Sequence, residues 1–466
     1  MWIKDNLSAN DINKKKILFF SVGCIIVSFI LNLFKLGDRF QVFFLLFWIL
    51  WTLVALCGYL IADKSEYRYL IEGVHILKCI ALVLLIVRFG FHFEGFAQAD
   101  AAGFMYYGGI LYRGEYIEDY LTRYPPVVSF LYKFFGENPS VVLLLNCVFT
   151  TVITITVEHM MRNFGIKKSI FATAAILYVA LSPLMLVISL YFWREATEFL
   201  FLIMSLSVFF RYFKERKISL AIISIVITIP AIILHDGYII FPAIYFLFYI
   251  GESVCKSRKS AVISVLVLAV MIVVLAVLVK NGRLAYFRRL KSGSILEVLQ
   301  EIRESKIFNG GESIYIDTCK LNDLSDLPMY IVKMTLYLLF SPTPKFWRGI
   351  KDAFYFVTDS FPAILCILMG MGSEYMLIRN NSLNSYFGDN GLTVQRKQEY
   401  RCRILFVSAM LLIILCTSVA FGLGTATAGT AIRHRCVFIP MYALMAVVFI
   451  DTLKKRKENG DSTKTH

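Results

Sequence analysis

The stretch Val42-Phe-Phe-Leu-Leu-Phe-Trp-Ile-Leu-Trp-Thr-Leu-Val-Ala-Leu-Cys-Gly-Tyr-Leu-Ile-Ala62 runs for 21 residues without a charged side chain. As a helix rising about 1.5 Å per residue it is roughly 30 Å long, the thickness of a bilayer's hydrocarbon core. A soluble helix would keep one polar face, and this one has none, so it reads as a membrane span. Further apolar runs lie at 17–34, 74–91, 140–161, 169–190, 194–213, 218–234, 237–250, 260–280, 353–374, 402–422 and 434–452. Together they predict an all-α polytopic membrane protein with about 12 transmembrane helices.

The composition agrees. Of 466 residues, 58% are hydrophobic and only 17% charged, and the mean hydropathy is +0.67. That is more apolar surface than one soluble core hides, so lipid is the solvent. The net charge of +15 does not point to nucleic acid, because Lys and Arg gather where alternate loops face one side. Those loops hold Lys64 and Arg68; Arg162, Lys167 and Lys168; Lys214, Arg216 and Lys217; Lys256, Arg258 and Lys259; Arg396, Lys397, Arg401 and Arg403. With the tail Lys454 to Lys457, the positive-inside rule puts both termini in the cytoplasm of a cytoplasmic-membrane protein. The first run follows Lys14, Lys15 and Lys16 with no small-residue cleavage site, so it is expected to stay as an anchor. The cysteines, mostly inside apolar runs, lack metal-ligand spacing and read as small core hydrophobes.

Residues 1–452 are thus expected to form a single membrane-integral domain, followed by a polar cytoplasmic tail at 453–466. Two outward segments interrupt it, at 92–139 and 281–352, each expected to contain short amphipathic helices. Met329 to Phe340 is apolar but too short to span, and Ser341-Pro-Thr-Pro344 follows it, so it is expected to be interfacial or re-entrant. The helices themselves read as nearly free of charge, the ionisable residues collecting in outer loops and at helix mouths.

Candidate chemistry starts at Gly95-Phe-Ala-Gln-Ala-Asp100-Ala-Ala-Gly-Phe-Met-Tyr-Tyr107-Gly-Gly-Ile-Leu-Tyr112-Arg113-Gly114, with Arg123-Tyr124-Pro-Pro126 downstream. Asp100 suits either of two roles, an N-cap for the helix it opens or an anionic base for a sugar hydroxyl. Arg194 and Glu195 stand at the outer end of the sixth run, where ionisable groups are costly unless paired, hydrated or used. His235 and Asp236 form either a polar turn or a weak metal or proton-transfer site. Lys345 and Arg348, flanking Phe346 and Trp347, suit an anionic lipid headgroup or a lipid-linked phosphate. Gly424-Thr-Ala-Thr-Ala-Gly-Thr-Ala-Ile-Arg433-His434-Arg435 sets small residues beside a candidate anion site.

The first outer loop, with Tyr132 to Pro139, Asn146, Leu181-Ser-Pro183 and Ser189 to Glu195, resembles the GT-C-fold membrane glycosyltransferases. Among these are the protein O-mannosyltransferase and aminoarabinose transferase relatives. The likeness covers roughly residues 90 to 250, and this chain has Ala101 where the family often carries a second adjacent acid. Glu94, Glu115, Glu118 and Asp119 are candidates to replace that acid. The Gly-Thr-Ala and Arg-His-Arg motif resembles bacterial surface-polysaccharide proteins, including oligosaccharide repeat-unit polymerases. The resemblance implies a GT-C-like fold and sugar transfer from a polyprenyl-linked saccharide at the outer face of the membrane, with Asp100 orienting or deprotonating the acceptor. Arg433 and Arg435, helped by Arg113, Arg123, Lys345 and Arg348, would hold the donor phosphate. No organic cofactor is required and a divalent cation is optional; membrane lipid and other polysaccharide-assembly membrane proteins are the expected partners. The alternative is a lipid-linked oligosaccharide flippase or other transporter.

Overall fold

The computed structural model describes residues 9–36, 40–91, 100–115, 123–256, 294–308, 314–386 and 394–462. The expected crossing at 260–280, the basic residues Arg283, Arg288, Arg289 and Lys291 that open the second outward segment, and the acids Glu94, Glu118 and Asp119 lie outside the described residues. Among the described residues the fold is helical, with one isolated antiparallel bridge, Ile314 to Thr427. Nine helical stretches there are long and apolar enough to cross a membrane, so the chain is a polytopic membrane protein.

The chain divides into two compact units. The first comprises Met1–Glu158 and Val179–Leu200. It holds helices α1 (Ala9–Leu33), α2 (Gln41–Ala62), α3 (Arg68–Phe89), α4 (Asp100–Tyr112) and α5 (Tyr124–Phe135). It also takes most of α6 (Pro139–Asn163), the end of α7 (Ile170–Leu181), α8 (Pro183–Leu190) and the first turns of α9 (Glu195–Glu215). The apolar run expected as one crossing at 169–190 is therefore two helices in line. Pro183 cannot donate to the preceding turn, and the Ser182 hydroxyl instead accepts the Met185 N–H and starts α8 afresh.

Side chains in this unit satisfy helix ends as well as fill space. Asn32 on α1 donates to the Tyr132 and Lys133 carbonyls at 3.0 and 2.7 Å, satisfying the last turn of α5. Gly136 closes that helix at φ +77°, a conformation that costs glycine little. Gly108 lets α4 lie directly on α5, since a Cβ there would meet Val128 Cγ1 at 2.5 Å. Phe104 stands edge-to-face on Tyr124 across the same contact, with centroids 5.1 Å apart.

The spans carry more charge than expected. Lys78, in the middle of α3, is 1% exposed, and its Nζ donates to Thr150 Oγ1 of α6 at 2.9 Å. One turn earlier His75 meets Thr151 at 3.0 Å and Thr52 at 3.3 Å. Among the described residues, no carboxylate lies within ion-pair distance of Lys78.

The second unit comprises His159–Tyr178 and Phe201–His466. It holds α10 (Ile218–Leu234), α11 (Ile240–Lys256), α12 (Ile295–Phe308), α13 (Leu327–Phe340) and α14 (Ile350–Tyr355). A π-helical turn, Phe356–Ser360, leads into α15 (Phe361–Tyr386). α16 (Val394–Gly422), α17 (Ala428–Arg435) and α18 (Ile439–Ser462) complete it. α13 is the short apolar segment set apart by its length; its 14 residues reach only about 21 Å. It packs on α16, where Gly422 sits against the Met334 backbone. Gly370 and Gly372 play the same part between α15 and α18, leaving room for Met445 and Phe449.

Candidate functional site

Two clusters bring together some of the residues singled out by sequence, Tyr124, Arg194 and Glu195 in the first unit and His235 and His434 in the second. In the first unit, Asp100 is the exposed first residue of α4. α5 begins one residue after the exposed Arg123, with Pro125 and Pro126 in its first turn. This places Tyr124 wholly inside, 1% exposed, with its hydroxyl bonded to Thr197 at the start of α9. Burial, reinforced by Glu195 and Glu198, holds that hydroxyl well above the usual tyrosine range, against the opposing effects of Thr197 and Arg194.

The α9 mouth is firmly built. Arg194 Nε pairs with Glu198 Oε1 at 3.0 Å, one helical turn on, and Glu195 and Glu198 are both buried. The loop before it, Tyr191 to Trp193, is held by Asn146 of α6, which donates to both carbonyls at 3.0 and 3.3 Å. Cys147 donates to Ser189 O at 3.4 Å. Tyr124, Arg194 and Glu195 are thus brought together. Arg113 stands apart from them, exposed and tied to Glu115 at 3.0 Å and Glu137 at 2.6 Å.

In the second unit, His235 and His434 face each other with ring centroids 5.6 Å apart, and Phe421 packs on both at 4.6 and 4.7 Å. Arg433 and His434 are half-buried on α17, whose N-terminus is capped by Thr427. Arg435 behaves differently from its neighbours. It is 0% exposed, and its Nε and Nη2 both donate to Asp359 Oδ2, the first at 2.7 Å. Nη1 donates to Leu338 O at 2.9 Å and Nη2 to Ser360 Oγ at 3.1 Å. Expected at an outer mouth, Arg435 is instead the wholly interior clasp between α17, α13 and the π-helical turn. Lys345 and Arg348 are exposed on the segment between α13 and α14, and Trp347 donates to Pro342 O at 3.1 Å. They do not join the His235 and His434 group through any contact among the described residues.

Sequence reasoning passed over Glu198, Thr197, Asp359 and Lys78. The spacing Arg194-x-x-x-Glu198 is an i,i+4 pair and Lys78 interrupts an apolar run, so two of these had a signal. Asp359 lies 76 residues from Arg435 and had none. Among the described residues no group of three His, Cys, Asp or Glu side chains has metal-ligand geometry. Comparison with protein-family models, curated proteins and solved structures gives no match.

Proposed function

We propose that the chain crosses the membrane twelve times, counting 260–280, with both termini cytoplasmic, in a GT-C-like arrangement. In this reading it is a membrane glycosyltransferase or polysaccharide polymerase, moving a saccharide from a polyprenyl phosphate or pyrophosphate carrier at the outer face. One observation carries the proposal. The two stretches on which the GT-C resemblance rests, the first outer loop and the α9 mouth, meet in the first unit through Tyr124, Thr197 and the Arg194–Glu198 pair. Asp100 is assigned to the acceptor hydroxyl, whose proton must leave as the glycosidic bond forms, and Glu195 is assigned to substrate binding. Arg113 and Arg123 are the candidates for the leaving phosphate, whose developing charge a guanidinium stabilises. Arg433 and His434 form a separate candidate anion site within the second unit. Arg435 leaves that group, because its donors are spent on Asp359, Leu338 and Ser360.

The test is saccharide analysis in a deletion strain complemented with wild type, Asp100→Asn or Arg433→Ala at matched membrane abundance. Loss of polymer with lipid-linked saccharide accumulating at the outer face supports the proposal, and the size of that saccharide separates transferase from polymerase. Accumulation at the inner face overturns it in favour of a flippase. That second reading has Lys78 and His75 behind it, since ionisable groups inside a span characterise transport pathways.

A further inference from the structure

Where α6 and α9 finish in the second unit, next in sequence to Lys167, Lys168, Arg216 and Lys217, lies a cavity of about 430 Å³. Arg162, Arg211 and Lys214 line it, together with Ser207, Phe164 and Phe210. No carboxylate is among its described lining residues. Orientation in the membrane calls for basic loops, but it does not call for three cations around a hollow.

The walls are fixed independently of any ligand. Arg403, 2% exposed, donates to Phe164 O at 2.7 Å and pairs with Asp451 at 2.6 Å. Phe164, Phe210 and Phe406 pack together with centroids 4.0 to 6.0 Å apart, giving an apolar floor. Gly165 turns the chain at φ +67° to close the α6 end.

Arg211 and Lys214 at the rim keep donors in reserve. Arg211 uses Nε and Nη2 on Glu215, at 3.1 and 2.8 Å, leaving Nη1. Lys214 donates only a long 3.5 Å bond to Asn163 O. Both side chains are exposed.

Cations at a rim and aromatic rings on a floor, at the ends of membrane spans, match an amphiphile whose charge is negative and whose body is apolar. A free phosphate would use the rim and leave the floor empty. We infer that this cavity is a binding site for the phosphodiester headgroup and glycerol region of an anionic phospholipid. It lies at the basic, cytoplasmic-type end of the unit, so it is separate from any outer-face chemistry and stands whether or not the glycosyltransferase proposal does.

The test uses the full-length protein in detergent, titrated with dioleoylphosphatidylglycerol and, separately, dioleoylphosphatidylcholine, with adducts counted by native mass spectrometry. Wild type binds the anionic lipid at least about tenfold more tightly, and each basic residue removed weakens binding about fivefold. Arg211→Gln shows that step alone on an exposed side chain, and R162Q/R211Q/K214Q together lose on the order of a hundredfold. Lys217→Gln, at the same end but outside the lining, leaves binding unchanged. Equal binding of the two lipids, or unchanged affinity in both Arg211→Gln and the triple variant, overturns the inference. Displacement of the lipid by millimolar inorganic phosphate assigns the cavity to a soluble anion and overturns it as well.

Discussion

Replacing Arg435 with Met removes a buried cation that makes four hydrogen bonds, two to Asp359 and one each to Leu338 O and Ser360. The methionine fills much of the space, so the main loss is electrostatic. Asp359 is left 1% exposed with no cation, and breaking one partner of such a pair costs about 3–5 kcal/mol. For a cooperative unit of this size, that lowers the unfolding midpoint by about 6–10 °C. Asp359→Leu alone should cost a similar amount, because it strands the guanidinium instead. The double variant, with neither charge, should recover most of the loss, since an apolar pair of similar volume is often as stable as the ion pair. The assay is a double-mutant cycle on midpoints from size-exclusion chromatography of heated, detergent-solubilised protein. A single Arg435→Met variant within 2 °C of wild type, to within about 1 kcal/mol, would refute the reasoning. So would a double variant that falls as far as the two singles combined. Arg435 would then be free for other work, and its place in the anion site would have to be restored.

Three further outcomes follow from contacts already described. Asn146→Ala frees two carbonyls before α9 and should cost about 1–3 kcal/mol, read as a lower unfolding midpoint with the secondary structure unchanged by circular dichroism. Lys78→Met should raise the midpoint, because an amine within the membrane costs about 2.5–3.5 kcal/mol and Thr150 returns only part of it. If the same variant loses activity in the complementation assay, the amine is retained for function. Gly108→Val drives a branched side chain into Val128 and should cost about 1–3 kcal/mol, whereas Gly103→Ala, where a Cβ meets only Tyr107 at 3.9 Å, should be neutral by the same measurement.

Hydrophobic length is a local property, so α2 could be read directly from Val42 to Ala62, and most other crossings likewise. The short reach of α13 was legible for the same reason. What was not legible depends on partners distant in sequence. Arg433, His434 and Arg435 look alike as a tripeptide, yet the helical turn of α17 sends Arg435 inward to Asp359 and leaves its neighbours half-buried. Tyr124 and Glu195 each stood out, but their meeting depends on how α5 packs against the start of α9. The break at Pro183 was written in the sequence, but hydropathy averaged over the run passes across it. The nearly charge-free reading of the helices failed for a related reason. Counting charges per run treats one lysine as negligible, although a single buried amine dominates the polar chemistry of its neighbourhood.

Lys78 also has a consequence for how the protein is made. Its partner Thr150 lies 72 residues further along the chain. At about 5–20 residues per second of synthesis, the amine waits roughly 4–14 s in or beside the lipid before a hydroxyl arrives. α3 is apolar enough to insert regardless, so for that interval the Lys78 amine, midway between Arg68 and Arg88 at the two ends of the span, has no Thr150 hydroxyl to meet. Truncation of the chain between the two residues would leave the amine of α3 without the Thr150 hydroxyl.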